Sequence, residues 1–229
     1  MSAKQQKIRN QFDLLASSYS DIKQKNDFYY EHLLSVIRRH VGEVLHPVLE
    51  IGCGTGGILN HVSNVPGLGL DISEKMIEKA RLNYPHHEFQ CQTLGDIVLD
   101  RCFETIILAD VVEYIDDLQN VFENIVSLLK PGGKCVLTSP NPLWFRMLQL
   151  ASRLGFKMED SYSNPPMPMK IVEAASCNGL SQVSFSTELI IPINIPILKS
   201  INSHMNNKLL FDKGVMMVLV FTKSSTESF

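Results

Sequence analysis

The sequence predicts an α/β fold: a doubly wound, seven-stranded and mostly parallel sheet, preceded by an N-terminal helical cap. Short apolar runs alternate with amphipathic helical segments from residue 48 onward. Such alternation is typical of parallel sheets with right-handed crossovers. The run Val48–Ile51 ends at a glycine-rich turn, 52–57, and a second run, Leu68–Leu70, ends at Asp71. A strand, a glycine turn and an acid after the next strand are typical of doubly wound folds that bind nucleotides.

Residues 1–45 are predicted to form the helical cap. Apolar side chains in its first half recur at helical spacing, at Ile8, Phe12, Leu15 and Tyr19. The same spacing recurs between residues 29 and 37. Residues 46–229 are predicted to be one α/β domain with two insertions, around 139–170 and 190–210.

The elements of this domain follow in a regular order. Strands are expected at 48–51, 67–71, 88–91, 104–109 and 134–138, and helices at 55–63, 73–82 and 117–129. Ser73 is a typical N-cap, and Pro131-Gly132-Gly133 predicts a turn into the next strand. Two further β stretches, 182–192 and 215–223, complete the seven strands.

Composition restricts the function. The chain has 229 residues, 45% of them hydrophobic and 20% charged, which is typical of a globular protein. A net charge of −3 gives no basic face for nucleic acid. Five cysteines without C-x-x-C spacing indicate reduced thiols and no metal site. No apolar run is long enough for a membrane span, and the first eleven residues are polar, so a cytoplasmic protein is expected.

The glycine turn indicates a ligand that lies directly against the backbone. Gly52, Gly54 and Gly56 carry no Cβ, and Asp71 follows nineteen residues after Gly52, where such folds bind ribose hydroxyls. An adenosine-containing cofactor is therefore expected. The turn also satisfies G-x-G-x-x-G, the dinucleotide pattern. Glu50, just before the turn, favours a cationic amino-acid end over a pyrophosphate.

Four motifs resemble the class I S-adenosylmethionine-dependent methyltransferases. They are LEIGCGTGG at 49–57, LGLDISEKMIEKAR at 68–81, FETIILADVVEYIDD at 103–117 and LLKPGGKCVLTSPNP at 128–142. The resemblance implies a Rossmann-like fold whose last strand is antiparallel, and methyl transfer to an O or N atom of a small molecule. Two alternatives remain: a non-catalytic or repurposed adenosylmethionine-binding protein, and a nicotinamide-dependent oxidoreductase.

The resemblance also implies a set of cofactor-binding residues. These are Tyr19, Glu50, Gly52, Cys53, Gly54, Gly56, Asp71, Ile72, Met76, Thr93, Leu94, Ala109 and Asp110. Asp71 is expected to accept both ribose hydroxyls, and Ile72 and Met76 to contact the adenine. Thr93 stands where relatives usually place an acid for the adenine amino group, so the partner of that group stays open.

The residues that would bind and activate an acceptor are less defined. The family's usual Glu-His pair is Glu113-Tyr114 here, so the commonest candidate base is absent. Tyr114 and His204 are the candidate catalytic residues, and no base is assigned. Tyr29, Trp144 and Phe145, with the Pro165–Pro168 loop, are expected to bind the acceptor. The insertions around 139–170 and 190–210 are expected to form the pocket's walls, but the sequence does not identify the acceptor.

Overall fold

The computed structural model of the protein describes residues 1–44, 46–153, 162–188 and 213–225. Within these ranges, seven strands form one sheet in the order β3-β2-β1-β4-β5-β7-β6. The strands are β1 (Val48–Ile51), β2 (Leu68–Asp71), β3 (Glu88–Cys91), β4 (Phe103–Ala109), β5 (Leu129–Pro140), β6 (Leu180–Glu188) and β7 (Met216–Lys223). Strands β1 to β5 pair in parallel, whereas β7 is antiparallel to both of its neighbours. The predicted fold class is confirmed.

Eight α-helices are present in the same ranges. They are α1 (Ala3–Leu15), α2 (Tyr19–Lys25), α3 (Asp27–Val41), α4 (Gly57–Val62), α5 (Glu74–Asn83), α6 (Leu118–Leu128), α7 (Phe145–Arg153) and α8 (Pro168–Cys177). The first three form the predicted helical cap. None of the described helices combines the length and apolar character that a bilayer span requires.

The strands are apolar because both faces of the sheet are covered. All four residues of β1 are buried. Its side chains alternate between two clusters: Leu49 and Ile51 lie with residues of α6 and α8, whereas Val48 lies with residues of α3, α4 and α5. A strand that is buried on both faces needs a continuous apolar run, which is how this segment appears in the sequence.

Strand β5 begins five residues earlier than the sequence predicts. Leu129 already pairs with Phe103, and the next pair is Lys134 with Thr105. The intervening residues form a bulge in which Gly132 has a φ of +75°. The segment predicted as a turn is therefore an irregular part of the strand. A register shift of this kind depends on pairing with β4, which local sequence does not encode.

Only part of the two predicted insertions is described. Residues 139–153 contain the short 3-10 helix Pro142–Trp144 and α7, and residues 162–167 lead into α8. Strand β6 matches the predicted stretch 182–192 as far as Glu188. The insertion around 190–210, with His204, lies outside the described residues.

The cap is fastened across the carboxyl ends of the strands. Ser73, the N-cap of α5, donates its hydroxyl to Asp13 Oδ1 on α1 at 2.6 Å. At the other end of α1, Lys4 pairs with Asp116, in the loop after β4, at 2.5 Å. These contacts place α1 over the edge where β1, β2 and β4 end, which is where doubly wound folds bind ligands.

Candidate cofactor site

A cavity of about 310 Å³ lies between the cap and the carboxyl ends of β1, β2 and β4. It is lined by ten of the predicted cofactor residues, namely Tyr19, Glu50, Gly52, Cys53, Gly54, Asp71, Ile72, Leu94, Ala109 and Asp110. These residues come from five separate parts of the sequence. The fold therefore brings the predicted site together at one edge of the sheet.

The glycine turn between β1 and α4 has a backbone conformation that residues other than glycine would adopt only with strain. Gly52 and Gly54 have φ of +77° and +52°. A Cβ on Gly52 would lie 2.3 Å from Cγ2 of Val111, and one on Gly54 would lie 3.3 Å from Cε1 of Tyr19. The amides of Gly52 and Cys53 both donate to Leu70 O, at 2.7 and 2.9 Å. The turn is thus held against the end of β2, with its backbone facing the cavity.

Asp71 is braced at the end of β2 by two backbone amides. Gly54 N donates to Oδ2 at 2.8 Å, and Ser73 N donates to Oδ1 at 2.9 Å. Burial raises the pKa of this carboxyl, and the same two hydrogen bonds oppose the shift. Each oxygen retains a further lone pair. A carboxylate fixed in this way suits a pair of vicinal hydroxyls.

Glu50 supplies a buried acceptor with spare capacity. Its Oε2 accepts a hydrogen bond from Leu59 N at 2.9 Å, whereas Oε1 has no hydrogen-bond partner among the described residues. Burial raises the pKa of the carboxyl to about 8, and the attraction of Lys23 counteracts it. An unpaired buried acceptor is costly, and a hydrogen-bond donor on a ligand would relieve that cost.

Lys23 is a cavity residue that the sequence analysis missed. Its Nζ lies 4.8 Å from the ring centroid of Tyr19 and 4.9 Å from that of Tyr30. Burial raises the pKa of both tyrosines, that of Tyr30 to about 12. Burial lowers the pKa of the Lys23 ammonium, and the nearby Glu50 carboxylate opposes that change. One signal was available, because Lys23 follows Tyr19 by four residues and so shares its helix face.

Asp110, at the end of β4, is held in an unusual backbone conformation. Its φ of +54° is the only positive value at a non-glycine position within the described residues. Tyr29 donates its hydroxyl to Oδ2 at 2.7 Å, and Thr138 donates its hydroxyl to Oδ1 at 2.9 Å. Tyr29, predicted to bind the acceptor, is not among the cavity-lining residues. Its hydroxyl instead positions the carboxylate of Asp110, which does line the cavity.

Three of the predicted cofactor residues do not line the cavity. Met76 has no exposed surface and is one of the largest fully buried side chains, so it does not offer the adenine contact that was expected. Gly56 faces away, since a Cβ there would lie 2.8 Å from the ring of Phe89. Thr93 is also absent from the lining, although its neighbour Leu94 is present. The expected role of Thr93 as an adenine partner therefore has no support in this geometry.

The predicted catalytic and acceptor residues lie at different distances from the cavity. Tyr114 lines it and packs edge-on against Phe12 of α1, with ring centroids 5.4 Å apart. Trp144 and Phe145 do not line it, and Trp144 Nε1 instead donates to Lys213 O at 2.8 Å. The predicted Pro165–Pro168 loop is also absent from the lining. Asn164, just before it, donates its amide to Glu113 O at 2.8 Å, which places this segment beside the loop that carries Tyr114.

Comparison with known proteins identifies the central part of the chain. A family model described as a methyltransferase domain matches residues 49–135. The ubiquinone biosynthesis O-methyltransferase of Coxiella burnetii (strain Dugway 5J108-111) is 29% identical over 121 residues, which are 49% of this chain and 48% of that protein. The chain thus spans about half the length of the curated relatives that it matches.

Solved structures extend the likeness to nearly the whole chain. A methyltransferase from Thermotoga maritima, described as a possible histamine N-methyltransferase, superposes with a TM-score of 0.72 at 17% identity, covering 94% of this chain and 99% of that one. Residues 49–135 thus resemble a methyltransferase domain, and the chain shares the fold of solved S-adenosylmethionine-dependent methyltransferases. The same fold is also found in the cyclase SpnF, with a TM-score of 0.68 at 13% identity and 98% coverage of both chains.

The cavity fits S-adenosylmethionine, the cofactor that the sequence motifs imply. Asp71 is positioned for the ribose hydroxyls, and the open acceptor on Glu50 suits the α-ammonium group. A Cβ on Gly54 would fill the space between the glycine turn and the ring of Tyr19. The thiol of Cys53 lies within the site, and burial raises its pKa well above the ordinary value, so it is not a reactive nucleophile.

Proposed function

We propose that this protein is a methyltransferase that moves the methyl group of S-adenosylmethionine to an oxygen or nitrogen atom of a small-molecule acceptor. The observation that carries the proposal is the unpaired Oε1 of Glu50, which is buried in a cavity that also contains Asp71. Together they complement a cationic amino-acid tail at one end and a ribose at the other. A nicotinamide dinucleotide would place a pyrophosphate near the Glu50 carboxylate, which disfavours the oxidoreductase alternative.

The chemistry requires little from the protein besides position. The bound cofactor supplies a methyl group activated by a sulfonium, and the transfer is an in-line displacement. The glycine turn and Asp71 would fix one reactant, while residues of the cap line the opposite side of the cavity. Holding both reactants in line can supply much of the rate, because positioning converts a bimolecular step into an effectively unimolecular one. A proton acceptor is needed only if the acceptor atom arrives protonated.

We place acceptor binding on the side of the cavity formed by Asp110, Tyr114 and the segment around Asn164. Asp110 is fixed by Tyr29 and Thr138, and Tyr114 lines the cavity. The proposal favours oxygen as the methylated atom because the Coxiella burnetii relative is named as an O-methyltransferase. Trp144 and Phe145 do not line the cavity, and we assign them to the outer part of the acceptor-binding side. The proposal includes no nucleic acid and no resident metal.

A non-catalytic or repurposed role is the second candidate. SpnF has the same fold and is described as a cyclase, so the fold alone does not decide the reaction. The absence of a histidine from the Glu113-Tyr114 pair also leaves the protein without the commonest base of its relatives.

A label-transfer assay tests the proposal. The protein is incubated with methyl-labelled S-adenosylmethionine and a panel of phenols, carboxylic acids and amines, and both labelled product and S-adenosylhomocysteine are measured. The Gly54→Val variant gives the background. Label in an acceptor above that background supports methyl transfer. Tight cofactor binding without label in any panel member would favour the non-catalytic role.

A further inference from the structure

We propose that Lys23 binds the carboxylate of the cofactor's amino-acid tail and so makes the site selective for ligands with an intact amino acid. This inference rests on the proposed cofactor, but it concerns a residue that neither the motifs nor the comparisons point to. Lys23 lies on α2, in the cap, across the cavity from the glycine turn.

The ammonium of Lys23 has no anionic partner among the residues that the structure describes. It lines the cavity, yet it makes no hydrogen bond and no ion pair within 4 Å to any residue that the structure describes. Its contacts are the faces of the Tyr19 and Tyr30 rings. A cation held away from water without an anion is costly, and an anionic ligand group in the cavity would offset that cost.

The position of Lys23 relative to Glu50 also points to a zwitterionic ligand group. Both side chains line the cavity, and Oε2 of Glu50 accepts a hydrogen bond from Leu59 N near the start of α4. Nζ of Lys23 lies 3.9 Å from the position that a Cβ on Gly57, the first residue of α4, would occupy. Lys23 and Glu50 thus lie at the same end of the cavity. An α-amino acid zwitterion matches both: its ammonium suits Glu50, and its carboxylate suits Lys23.

The alternative is that Lys23 only packs its aliphatic stem between the two tyrosines. A packing role would give a loss of thermal stability on truncation and no selectivity among ligands. A carboxylate-binding role predicts that truncation does not lower thermal stability but does change the selectivity among ligands. Stability is kept because removal of a cation without an anionic partner relieves a cost in the ligand-free protein.

The test is calorimetric binding to three adenosine ligands. S-adenosylhomocysteine has the whole amino acid, its decarboxylated analogue lacks only the carboxylate, and methylthioadenosine lacks the amino acid entirely. Lys23→Met should weaken S-adenosylhomocysteine binding by about 10- to 100-fold, as expected for a lost charged hydrogen bond. Binding of the other two ligands should stay within about twofold of wild type. Lys23→Arg should retain part of the preference for S-adenosylhomocysteine over the other two ligands. Lys79→Met, which alters an exposed lysine, should leave all three dissociation constants unchanged.

The outcomes separate this inference from the proposed function. If Lys23→Met weakens all three ligands equally, or none, Lys23 does not bind the carboxylate while the cofactor assignment stands. If the wild-type protein binds none of the three, both proposals are wrong. The melting temperature of Lys23→Met should match or exceed that of wild type, and Lys23→Gln serves if the Met variant does not fold. A large melting loss with unchanged selectivity would show a packing role.

Discussion

The ring of Tyr19 lies against the glycine turn, with Cε1 3.3 Å from the position that a Cβ on Gly54 would occupy. The helical cap and the turn thus form opposite walls of one cavity. A ligand there would be enclosed between an aromatic ring and bare backbone. This contact makes the site sensitive to any side chain added at the turn.

Gly54→Val should abolish cofactor binding with little change in the fold. The added methyl groups meet Tyr19, and a φ of +52° disfavours a β-branched residue. Gly57→Ala is the matched control, since its Cβ would meet only Lys23 Nζ, at 3.9 Å. Calorimetry with S-adenosylhomocysteine measures binding, and far-ultraviolet circular dichroism measures the fold. Normal binding by the Val variant would show that the turn does not cradle the ligand.

Asp71→Ala should weaken S-adenosylhomocysteine binding by about 1.5–3 kcal/mol, the range for hydrogen bonds to a charged group. The variant also loses the acceptor for Gly54 N and Ser73 N, so some loss of thermal stability is expected as well. Asp100→Ala, which alters an exposed acid, is the control. An unchanged dissociation constant in a folded Asp71→Ala protein would remove Asp71 from the site.

The affinity for S-adenosylmethionine should rise with pH up to about 8. Burial raises the pKa of the ligand-free Glu50 carboxyl to about 8, and a cationic group at Oε1 favours its ionised form. Binding therefore releases a proton from Glu50 below that pH. The charged groups that face Glu50 are Lys23 and Asp71. Both are present in wild type and in Glu50→Gln, so their titration affects the two proteins alike. Titration of the ligand's own amine is likewise common to wild type and Glu50→Gln.

Glu50→Gln should lack this part of the pH dependence, which calorimetry at several pH values can measure. Its effect on stability has a defined sign. The pKa of Glu50 is higher in the folded protein than its ordinary value of 4.5, so its contribution to stability is lost as pH rises through about 8. Above that pH, Glu50→Gln should unfold at a higher temperature than wild type. Parallel melting curves at all pH values would contradict the assignment.

Trp144→Phe should cost about 0.5–1.5 kcal/mol of stability, the contribution of one hydrogen bond. The indole Nε1 donates to Lys213 O, and Trp144 does not line the cavity. Cofactor affinity should therefore remain at the wild-type value. Chemical denaturation measures the first quantity and calorimetry the second. A tenfold loss of cofactor affinity would place Trp144 in the cofactor site.

The sequence predicted the parts of the site that depend on local pattern. The glycine turn and Asp71 follow buried strands, and parallel strands bring their carboxyl ends to one edge, so both could be placed without coordinates. Lys23 was missed because its role depends on how the cap docks, a long-range arrangement. Met76 was assigned to the adenine because it follows Asp71 closely, but its position on α5 turns it into the core. Helix periodicity alone did not distinguish, near the start of α5, the face that packs in the core from the face that could meet a ligand.

Calorimetric titration of the wild-type protein with S-adenosylhomocysteine and, separately, with NAD⁺ tests the central claim most directly. We predict saturable binding of S-adenosylhomocysteine to one site in each chain, with no heat of binding from NAD⁺. Binding of NAD⁺ in preference, or binding of neither ligand by a folded protein, would contradict it.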